Sequence, residues 1–298
     1  MADSASMGFS GDGGDAVAPT PEEVGSSYDE FGALYGLILG DSAIHVGMWT
    51  PPGGRAPAST LPDLANLAMD RQTDYYIETL GLTADDHLLD IGCGTGGPAV
   101  RAARSTGGRA TGITVSRSQV ELGRARAREA GLADRVNFAL ANAMDLGKEY
   151  EDESYDAAWA IDSFAHMSDR LAALGQARRV LRPGGRLLFT EFTLRSEPDP
   201  EYLAVWRAVW TSPPPLDPPT VLARVVEAGF ELERLEDHTE NFAVTGELMD
   251  TLYRDHHDEI LEHYGAETTA GMDAAMPKLR EFIRNHLGYY VFVARKPR

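Results

Sequence analysis

From residue 87 onward the chain alternates short apolar runs with longer segments whose apolar residues recur every three or four positions, the pattern of strands separated by helices. The runs predict strands over 87–90, 109–114, 136–141, 155–162, 186–193, 231–237 and 289–295. Ser116-x-x-Gln119 reads as a capping box opening one intervening helix, with Gly131 closing it. Ser168 opens another, which the sequence predicts to stop at Arg182-Pro183-Gly184-Gly185. A helix over 220–228 ends at Gly229, and a helical stretch over about 244–287 precedes the last strand. Strands and helices in strict alternation predict a parallel, doubly wound α/β sheet of seven strands with helices on both faces. No internal repeat is evident.

Upstream of that core the pattern differs. Residues 1–20 are Gly, Ala, Ser and Asp with almost no large apolar side chains, a composition that predicts a disordered tail because it cannot offset its ordering entropy. Helical periodicity over 28–39 and 65–80, joined by a Pro/Gly-rich loop over 50–62, predicts a helical N-terminal extension spanning 21–82. The core then occupies 83–196, 220–240 and 288–298, interrupted by a Pro-rich insertion at 197–219 and a helical one at 241–287. Both insertions supply material for a lid over the carboxyl edge of the sheet, where doubly wound folds bind ligands.

Composition narrows the partners. A net charge of −19 and a pI near 4.7 repel polyanions, which argues against nucleic-acid binding. The single cysteine, Cys93, excludes a disulfide framework and a cysteine-based zinc site. There is no membrane-length apolar run and no basic-then-apolar leader, so a cytoplasmic protein without a membrane partner is expected. Asp255-His256-His257-Asp258-Glu259 has metal-ligand residue types, but successive helical positions point in different directions, and a solvated face is the better reading. No metal site is expected, and a homo-oligomer is left open.

The candidate chemistry begins at Leu88-Leu89-Asp90-Ile91-Gly92-Cys93-Gly94-Thr95-Gly96-Gly97, an apolar strand ending in an acid and a glycine-rich turn. Such a turn lets backbone amides approach a ligand closely and starts a helix with unpaired N–H groups, the makings of a cofactor seat. The acid precedes the glycines, and Thr114 stands where a dinucleotide-binding pattern wants a ribose carboxylate. The D-x-G-x-G-x-G order resembles the first motif of class I S-adenosylmethionine (SAM) dependent methyltransferases. Residues 22–297 further resemble small-molecule methyltransferases of the bacterial natural-product type, related to sterol and tocopherol methyltransferases. Ile44-His45-Val46-Gly47-Met48-Trp49, Gly112-Ile113-Thr114-Val115-Ser116 and Gly288-Tyr289-Tyr290 carry that resemblance.

The resemblance implies SAM as cofactor, with Asp90, Gly92 and Gly94 at its methionine end. It places Thr114, Ser116 and Gln119 at the ribose and Asn142, Ala143 and Met144 at the adenine, Asn142 accepting from the exocyclic amine. Asp162-x-x-x-His166 stands where sterol-type members have Glu-x-x-x-His. It implies Asp162 beside the sulfonium as SAM-positioning carboxylate, base or cation stabiliser, and His166 or His45 as a general base of near-neutral pKa. Tyr28 matches a lid tyrosine that folds over the cofactor. Trp206 and Trp210, four apart on one helical face, and Trp49 are candidate substrate contacts, suited to a flat or isoprenoid molecule. Methyl transfer to a small, mainly apolar metabolite is the leading expectation, with the acceptor atom open. N-methylation of a glycine-like amine and a non-methylating cyclase on the same fold are the alternatives.

Overall fold

The computed structural model describes residues 18–49, 58 and 60–298, so most of the predicted tail and of the 50–62 loop lies outside the described residues. Seven strands, β1 (His87–Ile91), β2 (Arg109–Thr114), β3 (Val136–Leu140), β4 (Tyr155–Ala160), β5 (Leu181–Leu194), β6 (Glu231–Asp237) and β7 (Leu287–Arg295), form one sheet in the order β3-β2-β1-β4-β5-β7-β6. The pairs β1–β2, β2–β3, β1–β4 and β4–β5 are parallel, and β7 runs antiparallel between β5 and β6. The order reverses between β1 and β2 on one side and β4 on the other, and the crevice there is the place a ligand is expected.

Strand alternation divides the core. On β5 and β7, Leu188, Val291 and Val293 pack with α2 (Leu61–Leu80), α3 (Gly97–Thr106) and α4 (Arg117–Glu129). Their neighbours Leu187, Phe189, Phe292 and Ala294 face the opposite side, against α5 (Arg170–Val180) and α7 (Pro218–Glu227). A third cluster stands over the carboxyl edge. It joins α1 (Pro21–Leu39), α6 (Pro200–Trp210), α8 (Thr239–Asp255) and α9 (His257–His286) to Phe192, Leu287 and Tyr289. Without this apolar cap Phe192, Leu287 and Tyr289 of the sheet would lie open to water; burying a large apolar side chain stabilises by roughly 1.5–3 kcal/mol.

Several boundaries differ from the sequence reading, each for a local reason. The first helix starts at Pro21 rather than 28, because Thr20 and Glu23 form a complete capping box and Pro21 sits at the first turn. The second starts at Leu61, capped by Thr60. Helix α5 is capped by Asp169; the Ser168 hydroxyl instead donates to Met144 Sδ. The Arg182-Pro183-Gly184-Gly185 stop is drawn into β5, where Leu181 pairs with Tyr155 and a register shift absorbs the extra residues. The stretch predicted over 244–287 is two helices that part at His256, and Gly265, at φ +82°, kinks the second. The acidic His256-His257 run therefore straddles a helix break. Among the described residues no helix is long and apolar enough to cross a membrane, and no group of three or more His, Cys, Asp or Glu could hold a metal ion.

Candidate active site

The carboxyl ends of β1, β2, β3 and β4 surround a cavity of about 740 Å³, roofed by Pro21, Val24 and Tyr28 of α1. The glycines of the β1 turn divide into two kinds. A Cβ on Gly92 would lie 2.3 Å from Ser163 Cβ, and one on Gly96 would lie 2.5 Å from the Phe138 ring, so packing demands both. Gly94, at φ +51°, faces the cavity, and a Cβ built there meets no protein atom within 4 Å. That is a surface left open for a ligand. The Gly92 amide donates to Ile113 O at 2.8 Å, so it is not available to the methionine end as expected, whereas the Gly94 amide has no acceptor among the described residues.

Asp90 and Ser116 also depart from expectation. Neither lines the cavity. Asp90 is buried beneath the turn, one carboxylate oxygen has no partner, and burial pushes its pKa up to about 7. Ser116 caps α4 through Gln119 N and donates to Asp29 of α1 at 2.5 Å, so it secures the roof. The second half of the predicted capping box is not made: Gln119 Oε1 accepts instead from the Thr114 hydroxyl at 2.7 Å. Thr114 and Gln119 do line the cavity, and with its oxygen engaged Gln119 has Nε2 left to donate. Asn142, Ala143 and Met144 form the next wall. Asn142 Oδ1 accepts from Met144 N at 3.0 Å, so the acceptor expected to meet an adenine amine is occupied by its own turn and Nδ2 is the end with protons to give.

A second, mainly apolar cavity of about 430 Å³ lies under the helical cap, and Tyr28, Ile44, Asp162 and His166 line both. Asp162 is one of three non-glycine residues in the left-handed region among the described residues, at φ +53°, which turns the chain sharply at the end of β4. Its Oδ1 accepts from Thr190 Oγ1 and Tyr289 Oη, both at 2.6 Å, and its Oδ2 from Val46 N at 2.8 Å. Gln72 extends the network, accepting from Gly47 N and donating to Tyr289 Oη. Burial raises the Asp162 pKa to about 6 against the pull of those donors. Asp162 and Gln72 together therefore pin residues 46 and 47 to the sheet edge.

His166 closes a one-turn 3-10 helix (Phe164–His166) that Arg170 steadies by donating to Ala165 O. Its Nδ1 is 2.9 Å from Ser212 Oγ and its Nε2 is 2.9 Å from Tyr28 Oη. The Ser212 hydroxyl donates to Trp210 O, so Ser212 accepts from Nδ1–H, and Nε2 carries the lone pair that Tyr28 meets. Burial lowers the His166 pKa to about 4 rather than leaving it near neutral, and Arg170 adds to the shift. His45 lies deeper, lines only the second cavity, and burial likewise lowers it to about 4.

Of the three candidate tryptophans, Trp206 and Trp210 line the second cavity and Trp49 lines neither. The Trp49 indole donates to Val46 O and Thr245 Oγ1, so it fastens the 44–49 segment to α8. Ser212, Thr190, Gln72 and Tyr289 were not singled out as site residues from sequence. A buried glutamine on the apolar face of α2 was the one local signal among them, since a fully buried amide needs partners.

The sheet order and the glycine-cornered cavity define a SAM-dependent methyltransferase fold, and the comparisons agree. The Methyltransferase domain family matches residues 89–189. The chain is 36% identical over 285 residues to 27-O-demethylrifamycin SV methyltransferase of Amycolatopsis mediterranei (strain S699), covering 94% of this chain and 98% of that protein. It is 36% identical over 280 residues to Methyltransferase GfsG of Streptomyces halstedii, covering 92% and 94%. The crystal structure of the 4+2 cyclase SpnF superposes with a TM-score of 0.80 at 35% identity, over 95% of this chain and 98% of that one. This chain belongs to the class I SAM-dependent methyltransferases, and within them to the enzymes that methylate small molecules.

Proposed function

We propose that the enzyme methylates a hydroxyl oxygen of a small, mainly apolar metabolite. The observation that carries the reading is the neutral His166 at the junction of the two cavities, whose Nε2 lone pair already receives a hydroxyl, that of Tyr28. A substrate hydroxyl entering from the second cavity takes that place, and Tyr28 remains as the roof.

SAM, when bound in the first cavity, supplies a methyl group on a positively charged sulfur. Gly94 N, Gln119, Asn142–Met144 and Asp162 would hold it. His166 removes the acceptor proton as the oxygen attacks, while Ser212 holds Nδ1–H and so keeps the lone pair on Nε2. The helical cap excludes water and brings the acceptor alongside, which is where most of the rate enhancement for a charged donor arises. Relatives named for O-methylation support an oxygen acceptor. Among the described residues neither cavity wall contains an arginine, so nothing there would pair with the carboxylate of a glycine-like amine.

The likeness to SpnF favours one second reading, a cyclase that keeps the fold without transferring methyl. Incubating the enzyme with isotope-labelled SAM and a panel of hydroxylated apolar metabolites, followed by mass spectrometry, separates them. Label recovered as a methyl ether supports the proposal; label recovered on carbon or nitrogen, or substrate rearranged without label, overturns it.

A further inference from the structure

The second cavity is mainly apolar, yet two of the residues that line it each carry a buried nitrogen with no hydrogen-bond partner among the described residues: His45 Nδ1 and Trp210 Nε1. They differ in kind. The Thr73 hydroxyl donates to Met69 O at 3.1 Å, so at 3.4 Å from His45 Nε2 it can only accept, which places the imidazole proton on Nε2. His45 Nδ1 is therefore a bare acceptor. Trp210 Nε1 is a bare donor, for an indole nitrogen has nothing else to offer. The other tryptophan of this wall is satisfied, since Trp206 Nε1 donates to Pro213 O at 3.1 Å. His166 is satisfied at both nitrogens. Trp210 cannot turn away easily, as it stacks on Tyr35 with ring planes 7° apart.

Buried polar groups are almost always paired, and one left unpaired beside a cavity calls for a partner that the cavity can hold. Resting on the proposed methyl transfer, we infer that the substrate is an apolar skeleton bearing two further polar points: an O–H or N–H that donates to His45 Nδ1, and a carbonyl or ether oxygen that accepts from Trp210 Nε1. An unfunctionalised isoprenoid or fatty chain would leave both nitrogens desolvated and unpaired. A hydroxyketone or hydroxyether answers both, and the reaction that supplies this substrate must then be one that leaves a carbonyl or ether oxygen and free hydroxyls on a hydrocarbon frame.

Four bicyclic probes of nearly equal size test this: tetralin, 1-tetralone, 5-hydroxytetralin and 5-hydroxy-1-tetralone, with binding measured by calorimetry on the full chain saturated with demethylated SAM. Affinity is expected to rise about tenfold for each matched polar group, with 5-hydroxy-1-tetralone tightest. Trp210→Phe, which keeps a ring against Tyr35, should erase the gain from the carbonyl and leave the gain from the hydroxyl. His45→Phe should do the reverse; where that variant fails to fold, the Trp210→Phe half of the comparison stands alone. Equal affinity across the four probes, no binding of any of them, or a Trp210→Phe loss as large for tetralin as for 1-tetralone overturns the inference. Methyl transfer to a hydroxylated panel compound without this preference would sink the two-point site and leave the O-methylation reading standing.

Discussion

The two cavities that meet at Asp162 and His166 are built in opposite ways. Below its α1 roof, the first cavity is assembled from the ends of four consecutive strands, between Gly92 and Met167, and its polar contacts are mostly with near neighbours, such as Thr114 with Gln119 and Asn142 with Met144. The second cavity draws Leu39, His45, Phe192, Trp210, Phe242 and Met249 together from across the chain, and its polar links span long separations, such as Tyr28 to His166 and Tyr289 to Asp162. A wall made of strand ends is dictated by backbone geometry. A wall made of distant side chains is dictated by packing, and can be rebuilt without disturbing the sheet.

That contrast can be broken most sharply at the glycines. Gly94→Val should abolish binding of SAM and of its demethylated product in calorimetry, because the added atoms enter the cavity and not the core, and should cost only about 1–2 kcal/mol of stability from the left-handed backbone at φ +51°. Gly92→Ala should instead lower the melting temperature, since its Cβ strikes Ser163. If the two variants behaved alike, the division between a ligand-facing and a packing glycine would be wrong.

His166→Ala should slow methyl transfer in a single turnover by roughly 10² to 10⁴ with SAM affinity kept. With its pKa lowered to about 4, His166 is neutral throughout the physiological range, so the wild-type rate should be flat from about pH 6.5 to 9. A rate that climbs through an ionisation near 6.5 would show a base other than buried His166. Asp162→Asn sharpens the junction from the other side. An amide cannot accept from Tyr289, Thr190 and Val46 N as the carboxylate does, so the 44–49 segment should loosen and the substrate KM should rise with a smaller change in kcat. If alkene carbon were the acceptor, this variant would remove turnover outright.

A smaller effect concerns stability. Asp90 is raised in the fold from 3.8 to about 7, so its contribution is fully present below the unfolded value and is lost as pH rises through about 7. The shift bounds that loss at about 4 kcal/mol. Asp90→Asn should therefore gain on the wild type by about 1–3 kcal/mol between pH 5 and 8 in denaturant melts. His45 and His166 act in the opposite sense, since their lowered values remove stability as pH falls from 6.5 towards 4. A pH-independent difference between the two proteins would show that Asp90 is not titrating in the fold.

Legibility followed the same division. The seven strands, their alternation with helices and the turn after β1 could be read from the chain because each rests on periodicity or on a local glycine pattern. Thr114 and the Asn142–Met144 turn fell on the cavity wall because they close consecutive strands, and Gln119 because it stands in the first turn of the helix that follows β2. Asp90, Ser116 and Trp49 did not, because sequence places a residue at a strand end or loop but does not say whether burial turns its side chain inward. Ser212 was invisible for a different reason: its role as the partner of His166 exists only once the Pro-rich 211–217 segment lies against the end of β4. The low pKa of His166 was equally hidden, since it comes from the cap that covers the ring and not from its neighbours in the chain.

Tyr28 borders both cavities at once, and α1 is tied across them by Asp29 to Ser116 and Ser118 and by Ser27 to Thr211. A shared gate is the expected kinetic consequence: if release of the spent cofactor lifts the helix that roofs both cavities, the two compartments empty together. Opening, not chemistry, is then expected to set the steady-state rate. A rapid burst of methylated product in the first turnover, slower thereafter and sensitive to solvent viscosity, is the signature; a linear onset would place the slow step in the transfer itself.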